Sequence, residues 1–340
     1  MEQRALGRTG LRVSALGFGA GAVGGLFVRG DRAEQKRAVT RALEAGVVYF
    51  DTAPSYGAGR SEENLGRVLG ELGAWPDVVV GTKVRLQPAD LADPVVAIQR
   101  SYEASLRRLG RASIDLLQLH NPIVAGDAGG EPGIGSSRGL PVDVVSGLVA
   151  EGMQALVSRG SVRHIGITGL GDTQAVQTAA TGGRFATVQT YFNAANPSAG
   201  YAGASGGAQD FAGLIGAAAA AGRGVIAIRV MAAGALVAHR DRHPNAGDPG
   251  PVLQRGGEYD RDLDRARVIQ DLAVELGCDG PLELALRFAL TTPGISAALV
   301  GFSDLGQVED ALRWTGRGPL SSDAARRVVE KARPRHQNGS

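Results

Sequence analysis

Eight short apolar runs, each bounded by turn residues, constrain this chain more than any other feature. They are Ser14–Phe18, Val47–Asp51, Val78–Thr82, Ile114–Leu119, His164–Thr168, Thr187–Tyr191, Gly224–Arg229 and Ser296–Gly301. Between them, apolar residues recur at helical spacing over Ala33–Ala45, Ser61–Leu72, Pro94–Leu109, Val142–Arg159, Gln209–Ala221 and Leu263–Leu276. Strands taking turns with helices imply parallel βαβ units. The runs are solidly apolar rather than alternating, as expected of strands covered on both faces by helices. Eight such units favour a closed (β/α)8 TIM barrel over an open, doubly wound α/β sheet. Ala5–Val13, punctuated by glycine, reads as an N-terminal hairpin. Leu305–Trp314 and Ser322–Ala332 read as extra C-terminal helices.

A chain of 340 residues would suggest two domains at about 150 residues each, but barrels often exceed that size. No linker or shift in composition cuts it, so a single domain is expected over 1–332. The tail 333–340, with Pro, Gln, Asn and Gly, is expected to be disordered. The formal net charge is only +2, whereas nucleic-acid binders carry a concentrated basic face. Arg100–Arg111 and Arg255–Arg267 interleave bases with acids and read as solvated helix faces. Cys278, the single cysteine, cannot form an internal disulfide and follows a helical run, so it reads as a structural thiol in a reducing compartment. No stretch has the order of a signal peptide or the ~18 apolar residues of a membrane span. Together these suggest a cytoplasmic protein with a small-molecule substrate and neither a nucleic-acid nor a membrane partner. Oligomeric state is open.

The long connections Val124–Pro141, Phe192–Gly207 and Val237–Asp260 follow strands four, six and seven. They therefore lie on the carboxyl face, where barrel active sites are built, and their Gly, Ser and Pro content reads as mobile lids. Titratable residues gather at the same face. Asp51 ends strand two, Tyr56 lies five residues on, Lys83 follows strand three and His120 follows strand four. A carbonyl receiving hydride needs a proton, and a free tyrosine, with a pKa near ~10, donates poorly unless its phenolate is stabilised. An ammonium such as Lys83 provides that stabilisation. Asp51 would hold Lys83 charged, and His120 would position the substrate oxygen.

Two motifs are decoys. Gly19–Gly24 matches the dinucleotide fingerprint GxGxxG, but Gly25 and Gly30 interrupt the helix that a Rossmann turn requires, and helical spacing resumes only near Ala33. It reads as a flexible loop after strand one. His239 and His243 have helical i, i+4 spacing, but Pro244 indicates a surface loop, so no metal is expected.

Tyr49–Gly57 (YFDTAPSYG), Gly81-Thr-Lys83, Gln118-Leu-His120, the Leu6–Leu11 start and Ser61–Gly66 together resemble the aldo-keto reductases over nearly the whole chain. The resemblance implies a (β/α)8 barrel that binds NAD or NADP in extended form, transfers a hydride between carbonyl and alcohol, and uses Asp51, Tyr56, Lys83 and His120 as its catalytic tetrad. It assigns Thr168 and Gln189 to the nicotinamide carboxamide, and Tyr191 or Phe192 to stacking on the ring. Gly19 would lie near the nicotinamide or substrate. Gly169 stands where the family often has Asn, and Arg229-Val-Met replaces its usual Ser-Pro-Leu, so Arg229 could reach a phosphate or merely pair with a carboxylate. Gly301–Asp310, with Ser303, Gln307 and Asp310, resembles the segment that clasps pyrophosphate and adenosine. No Arg or Lys lies between Gly301 and Leu312, while Asp304, Glu309 and Asp310 are acidic. That favours the free ribose hydroxyl of NAD over the 2′-phosphate of NADP. Ile165–Leu170 also resembles the branch of NAD-linked L-galactose and D-threo-aldose dehydrogenases. The alternatives are a Schiff-base aldolase using Lys83 and a non-catalytic cofactor-sensing subunit.

Overall fold

The computed structural model describes residues 1–126, 139–206, 208–237, 241–249 and 259–333. Much of the expected Val124–Pro141 loop, the C-terminal tail and His239 lie outside the described residues. Eight parallel strands close into a barrel in sequence order. They are β1 (Leu16–Gly19), β2 (Tyr49–Asp51), β3 (Val79–Val84), β4 (Ile114–Leu119), β5 (Val162–Thr168), β6 (Thr187–Tyr191), β7 (Gly224–Ile228) and β8 (Ala297–Gly301). The outer layer contains α1 (Arg32–Glu44), α2 (Arg60–Glu71), α3 (Pro94–Leu109), α4 (Ala150–Ser158), α5 (Thr173–Thr181), α6 (Leu214–Ala220), α7 (Tyr259–Glu275), α8 (Pro281–Thr291), α9 (Leu305–Gly316) and α10 (Ser322–Ala332). Among the described residues, no helix is long and apolar enough to cross a membrane.

Local chemistry sets the element ends. For α3, the Asp93 carboxylate accepts from Val96 N at 3.1 Å, Pro94 occupies the first turn, and Gly110 at φ 66° stops the helix. Punctuation of this kind makes the helix coincide with its expected span. In α9, Asp304 caps the start by accepting from Gln307 N at 2.8 Å.

Elsewhere the structure departs from expectation. The Val142–Arg159 helix is interrupted by a π-helical stretch at Val145–Val149, where Gly147 adopts a backbone conformation that glycine tolerates. The Gln209–Ala221 helix begins only at Leu214. Asp210 instead accepts from Gly203 N and Ala212 N, each at 2.8 Å, and holds a turn. Helix α5 completes the fifth repeat, and α8 follows α7, the expected Leu263–Leu276 helix, in the seventh; neither α5 nor α8 was picked out by the spacing. Residues 192–206, expected as a lid, do not line the cavity at the carboxyl face and are tied down by their own side chains. The Asn193 side chain accepts from Ala195 N and Asn196 N, and Asn196 accepts from Ser198 Oγ, all within 3.0 Å and all buried. These polar side chains take the place water has in an ordinary loop.

Strand register brings the polar residues to one layer. Asp51 lies opposite Gly81, Lys83 opposite Gln118, Gln118 opposite Gly166, and Thr168 opposite Gln189. Residues two apart on a strand face the same way. Asp51, Lys83, Gln118, Thr168 and Gln189 therefore form an inward ring near the carboxyl end. A one-residue slip in any strand would turn its member outward.

The opposite end is plugged. The expected hairpin pairs Gln3–Ala5 with Arg12–Ser14 and buries Leu6, Leu11 and Val13 against Tyr49, Val79, Leu116 and Ile226. Each such side chain contributes at most about 1.5–3 kcal/mol by removal from water. The hairpin turn lies so close that a Cβ on Gly7 would come within 2.2 Å of Gly224 N.

Candidate active site

One cavity of about 680 Å³ opens at the carboxyl face. Asp51, Tyr56 and His120 line it, as do Gly19, Thr168, Gln189, Arg229, Gly301, Ser303, Gln307 and Asp310. Lys83 sits just behind its surface, 1% exposed. The four tetrad candidates and eight of the cofactor candidates thus meet at one place, although Gln189 is 138 positions from Asp51.

Asp51 is the hub. Its Oδ1 pairs with Lys83 Nζ. Its Oδ2 accepts from the Tyr49 hydroxyl at 3.2 Å, Gln118 Nε2 at 3.0 Å and Gln189 Nε2 at 2.7 Å. Lys83 Nζ also donates to the Thr52 carbonyl at 2.8 Å and lies 5.0 Å from the Tyr56 ring centre. Burial pulls the Lys83 pKa down, but the Asp51 carboxylate and Tyr56 outweigh it and hold the ammonium above its usual range. His120 meets Tyr56 edge-on, with ring centres 6.0 Å apart. Burial and then the Lys83 and Arg85 cations hold its imidazole well below its ordinary pKa, so it is neutral. Tyr49 is driven well above the usual phenol range by burial and by Asp51, which makes it a permanent donor.

The remaining wall suits a nicotinamide dinucleotide. Thr168 Oγ1, at the cavity wall, is buried without a hydrogen-bond partner among the described residues and could bond a polar ligand group. The Gly19–Gly24 segment is close-packed rather than free. A Cβ at Gly24 would lie 2.5 Å from Phe302 N, and Ser303 Oγ donates to Gly24 O at 2.6 Å. One helical turn, Leu26–Arg29, follows it, earlier than the spacing suggested. Gln189 lines the cavity and donates its amide to Asp51. Tyr191, rather than the fully buried Phe192, lines the cavity. Arg229 lies 5.8 Å from the Tyr191 ring and donates to Pro249 O at 3.2 Å.

A strap, 241–249, crosses the β8 side. His243 lies 3.3 Å from the Asp304 carboxylate and Asn245 donates to Ser303 O at 3.0 Å. Among the described residues no group of three or more metal-ligating side chains occurs. Trp75 packs on Arg111 at the amino face, away from the cavity.

Residues 15–333 match the aldo/keto reductase family. The chain belongs to that family. It is 36% identical over 150 residues to pyridoxal 4-dehydrogenase of Microbacterium luteolum, covering 35% of this chain and 43% of that one. It is 33% identical over 171 residues to L-galactose dehydrogenase of Arabidopsis thaliana, covering 50% and 49%. The aligned part thus spans half or less of each of these relatives. The fold matches the holo form of an aldo-keto reductase from Bacillus halodurans with a TM-score of 0.71 at 22% identity, over 98% of this chain and 97% of that one.

Three further residues of this aldo/keto reductase site escape sequence reasoning as site members. Tyr49 is two positions before Asp51 and so points inward with it, a signal strand periodicity carries. Gln118 is two before His120 on the same account. Arg85, two beyond Lys83, lines the cavity beside Tyr56 and His120, and its position relative to Lys83 was the available clue.

Proposed function

We propose that this protein is a nicotinamide-dependent oxidoreductase that interconverts a carbonyl and an alcohol, with Tyr56 as general acid and base. The observation that carries this is the Lys83 ammonium, kept charged by Asp51 and set 5.0 Å from the Tyr56 ring at the floor of the cavity. When bound, the nicotinamide supplies or accepts the hydride. Thr168, Gln189 and Tyr191 would hold its ring end, with Gly19 beneath. Arg229, Gly301, Ser303, Gln307 and Asp310 would hold the rest.

The chain's own residues handle the proton. Tyr56 gives its phenolic proton to the substrate oxygen in reduction and takes one in oxidation. Negative charge left on its oxygen faces Lys83, in a site where burial strengthens the attraction. His120, neutral and nearly enclosed, orients the substrate oxygen by a hydrogen bond rather than by acid chemistry. The charged, Asp51-bound state of Lys83 disfavours the Schiff-base alternative, which needs a free amine.

NAD is the preferred cofactor in this reading. Arg41 is paired with Glu309 and Arg313 with Asp310, each at 2.8 Å in half-exposed ion pairs for which a phosphate would have to compete. A 2′-phosphate would therefore lack a free partner there. The expected kcat/KM ratio favours NAD, and a ratio favouring NADP overturns this part of the reading. For the mechanism the test is Tyr56→Phe. Hydride transfer should fall about 10²–10⁴-fold while cofactor binding, followed by fluorescence, persists. Unchanged turnover with a bound cofactor refutes the role of Tyr56.

A further inference from the structure

We propose that Arg85 is the substrate-recognising cation of this site, and that the compound turned over carries a carboxylate or phosphate near its reacting carbon. The proposal rests on the oxidoreductase reading above and names the substrate class of that same cavity.

Three arginines line the cavity, and only Arg85 is uncommitted among the described residues. Arg229 donates to Pro249 O and Arg242 to Ala233 O. Arg85 Nε is buried with no partner, as is Arg242 Nε, but unlike Arg242 the rest of the Arg85 guanidinium has no hydrogen bond or ion pair among the described residues either. Three other half-buried arginines are paired with carboxylates: Arg108 with Glu62, Arg111 with Asp115 and Arg287 with Glu283. An unpaired charge held partly out of water is unfavourable unless a ligand completes it. Burial does hold the Arg85 pKa below its usual value, with only the Tyr56 oxygen opposing.

The side chain is also placed in advance. Arg85 follows Lys83 by two residues and so projects to the same side of the chain, one step nearer the mouth. The next peptide is clamped by Asn121, which accepts from Leu86 N at 2.9 Å and donates to Leu86 O at 2.8 Å. His120 N donates to Val84 O at 2.8 Å on the preceding side. Both neighbours of Arg85 are thus fixed to the segment that carries His120. The charge near the proton relay is then easily counted. Lys83 and Asp51 cancel and His120 is neutral, so Arg85 leaves one positive charge. Nearby, Val23 and Leu170 present apolar surface. A planar guanidinium in this setting fits the two oxygens of a carboxylate or phosphate.

The test uses matched substrate pairs with NADH: 4-formylbenzoate against its methyl ester, and glyceraldehyde 3-phosphate against glyceraldehyde. The wild type is expected to prefer the charged member of at least one pair, and the pair with the larger preference tells carboxylate from phosphate. In Arg85→Met the charged-to-neutral ratio of kcat/KM should drop roughly 10- to 100-fold, with Arg85→Lys in between. A ratio unchanged in Arg85→Met, or neutral members preferred by the wild type, overturns the proposal. A second measurement needs no turnover. Benzoate titrated calorimetrically into the NAD-loaded protein should bind at least tenfold more weakly to Arg85→Met. Equal affinities overturn the role of Arg85 even if aldehydes react. Absence of turnover with every aldehyde, with benzoate binding still dependent on Arg85, would instead count against the oxidoreductase reading.

Discussion

Asp51→Asn is the most informative single change, because it keeps the shape of the hub and removes its charge. In the native site four donors converge on the carboxylate: Lys83, Tyr49, Gln118 and Gln189. An asparagine offers one acceptor oxygen and one NH2 group, so whichever way it turns, donor faces donor. Lys83 remains 1% exposed and loses its counter-charge. Removing one partner of a buried ion pair costs about 3–5 kcal/mol, a large share of the ~5–15 kcal/mol that holds a typical protein together. Urea unfolding followed by fluorescence of the two tryptophans would measure it by linear extrapolation.

The pH dependence separates this account from a merely steric one. In the wild type the folded-state pKa of Lys83 is raised above its ordinary 10.5. Its contribution is therefore present at neutral pH and is lost only as pH climbs through the folded value. Without Asp51, burial, already the largest influence on Lys83, is opposed only by Tyr56, and the folded pKa falls from its wild-type value. The variant then carries a cost at neutral pH that shrinks as rising pH removes the lysine proton. The stability gap between the two proteins should narrow from neutral pH toward 10. A gap under about 1 kcal/mol at neutral pH, or one that stays constant or widens, refutes the reasoning.

His120→Gln tests the neutral imidazole. Because the folded pKa of His120 lies well below 6.5, the wild type should lose stability as pH falls below that value, and the variant should lose less; matching pH–stability curves would exclude the assignment. Glu62→Ala removes a fully buried carboxylate that accepts from Arg108 Nε and Thr82 Oγ1, both at 2.6 Å. It should cost about 3–5 kcal/mol, and a loss below 1 kcal/mol by urea unfolding would show that the β3–α3 link is not held by charge.

The sequence was most readable where a short-range rule acts alone. Ile114–Leu119, Thr187–Tyr191, Pro94–Leu109 and Ser322–Ala332 coincide with their expected spans because apolar runs end at turn or cap residues. Thr173–Thr181 carries threonines of modest helix propensity and shows little contrast with its flanks, so packing against the barrel decides it. The proposed tetrad was legible as residues at or shortly after the ends of three consecutive strands, since a parallel barrel delivers every strand end to one face. Its wiring was not. That Gln189 reaches Asp51 depends on closure of the barrel at β8 and β1, which sets β6 across the interior from β2 and which no local pattern records. Asp304 was read as a charge opposing a phosphate; it is also the cap of α9 and the partner of His243. That Arg85 lacks a counter-ion is visible only once every neighbouring carboxylate has been placed.

The hairpin beneath the barrel has a kinetic corollary. With Leu6, Leu11 and Val13 filling the amino end, the cavity opens, among the described residues, at the carboxyl face, and two ligands sharing that opening would queue. Whatever settles deepest enters first and departs last. Product-inhibition patterns should therefore be those of a compulsory order, with the deeper ligand competitive only against its own oxidised or reduced form.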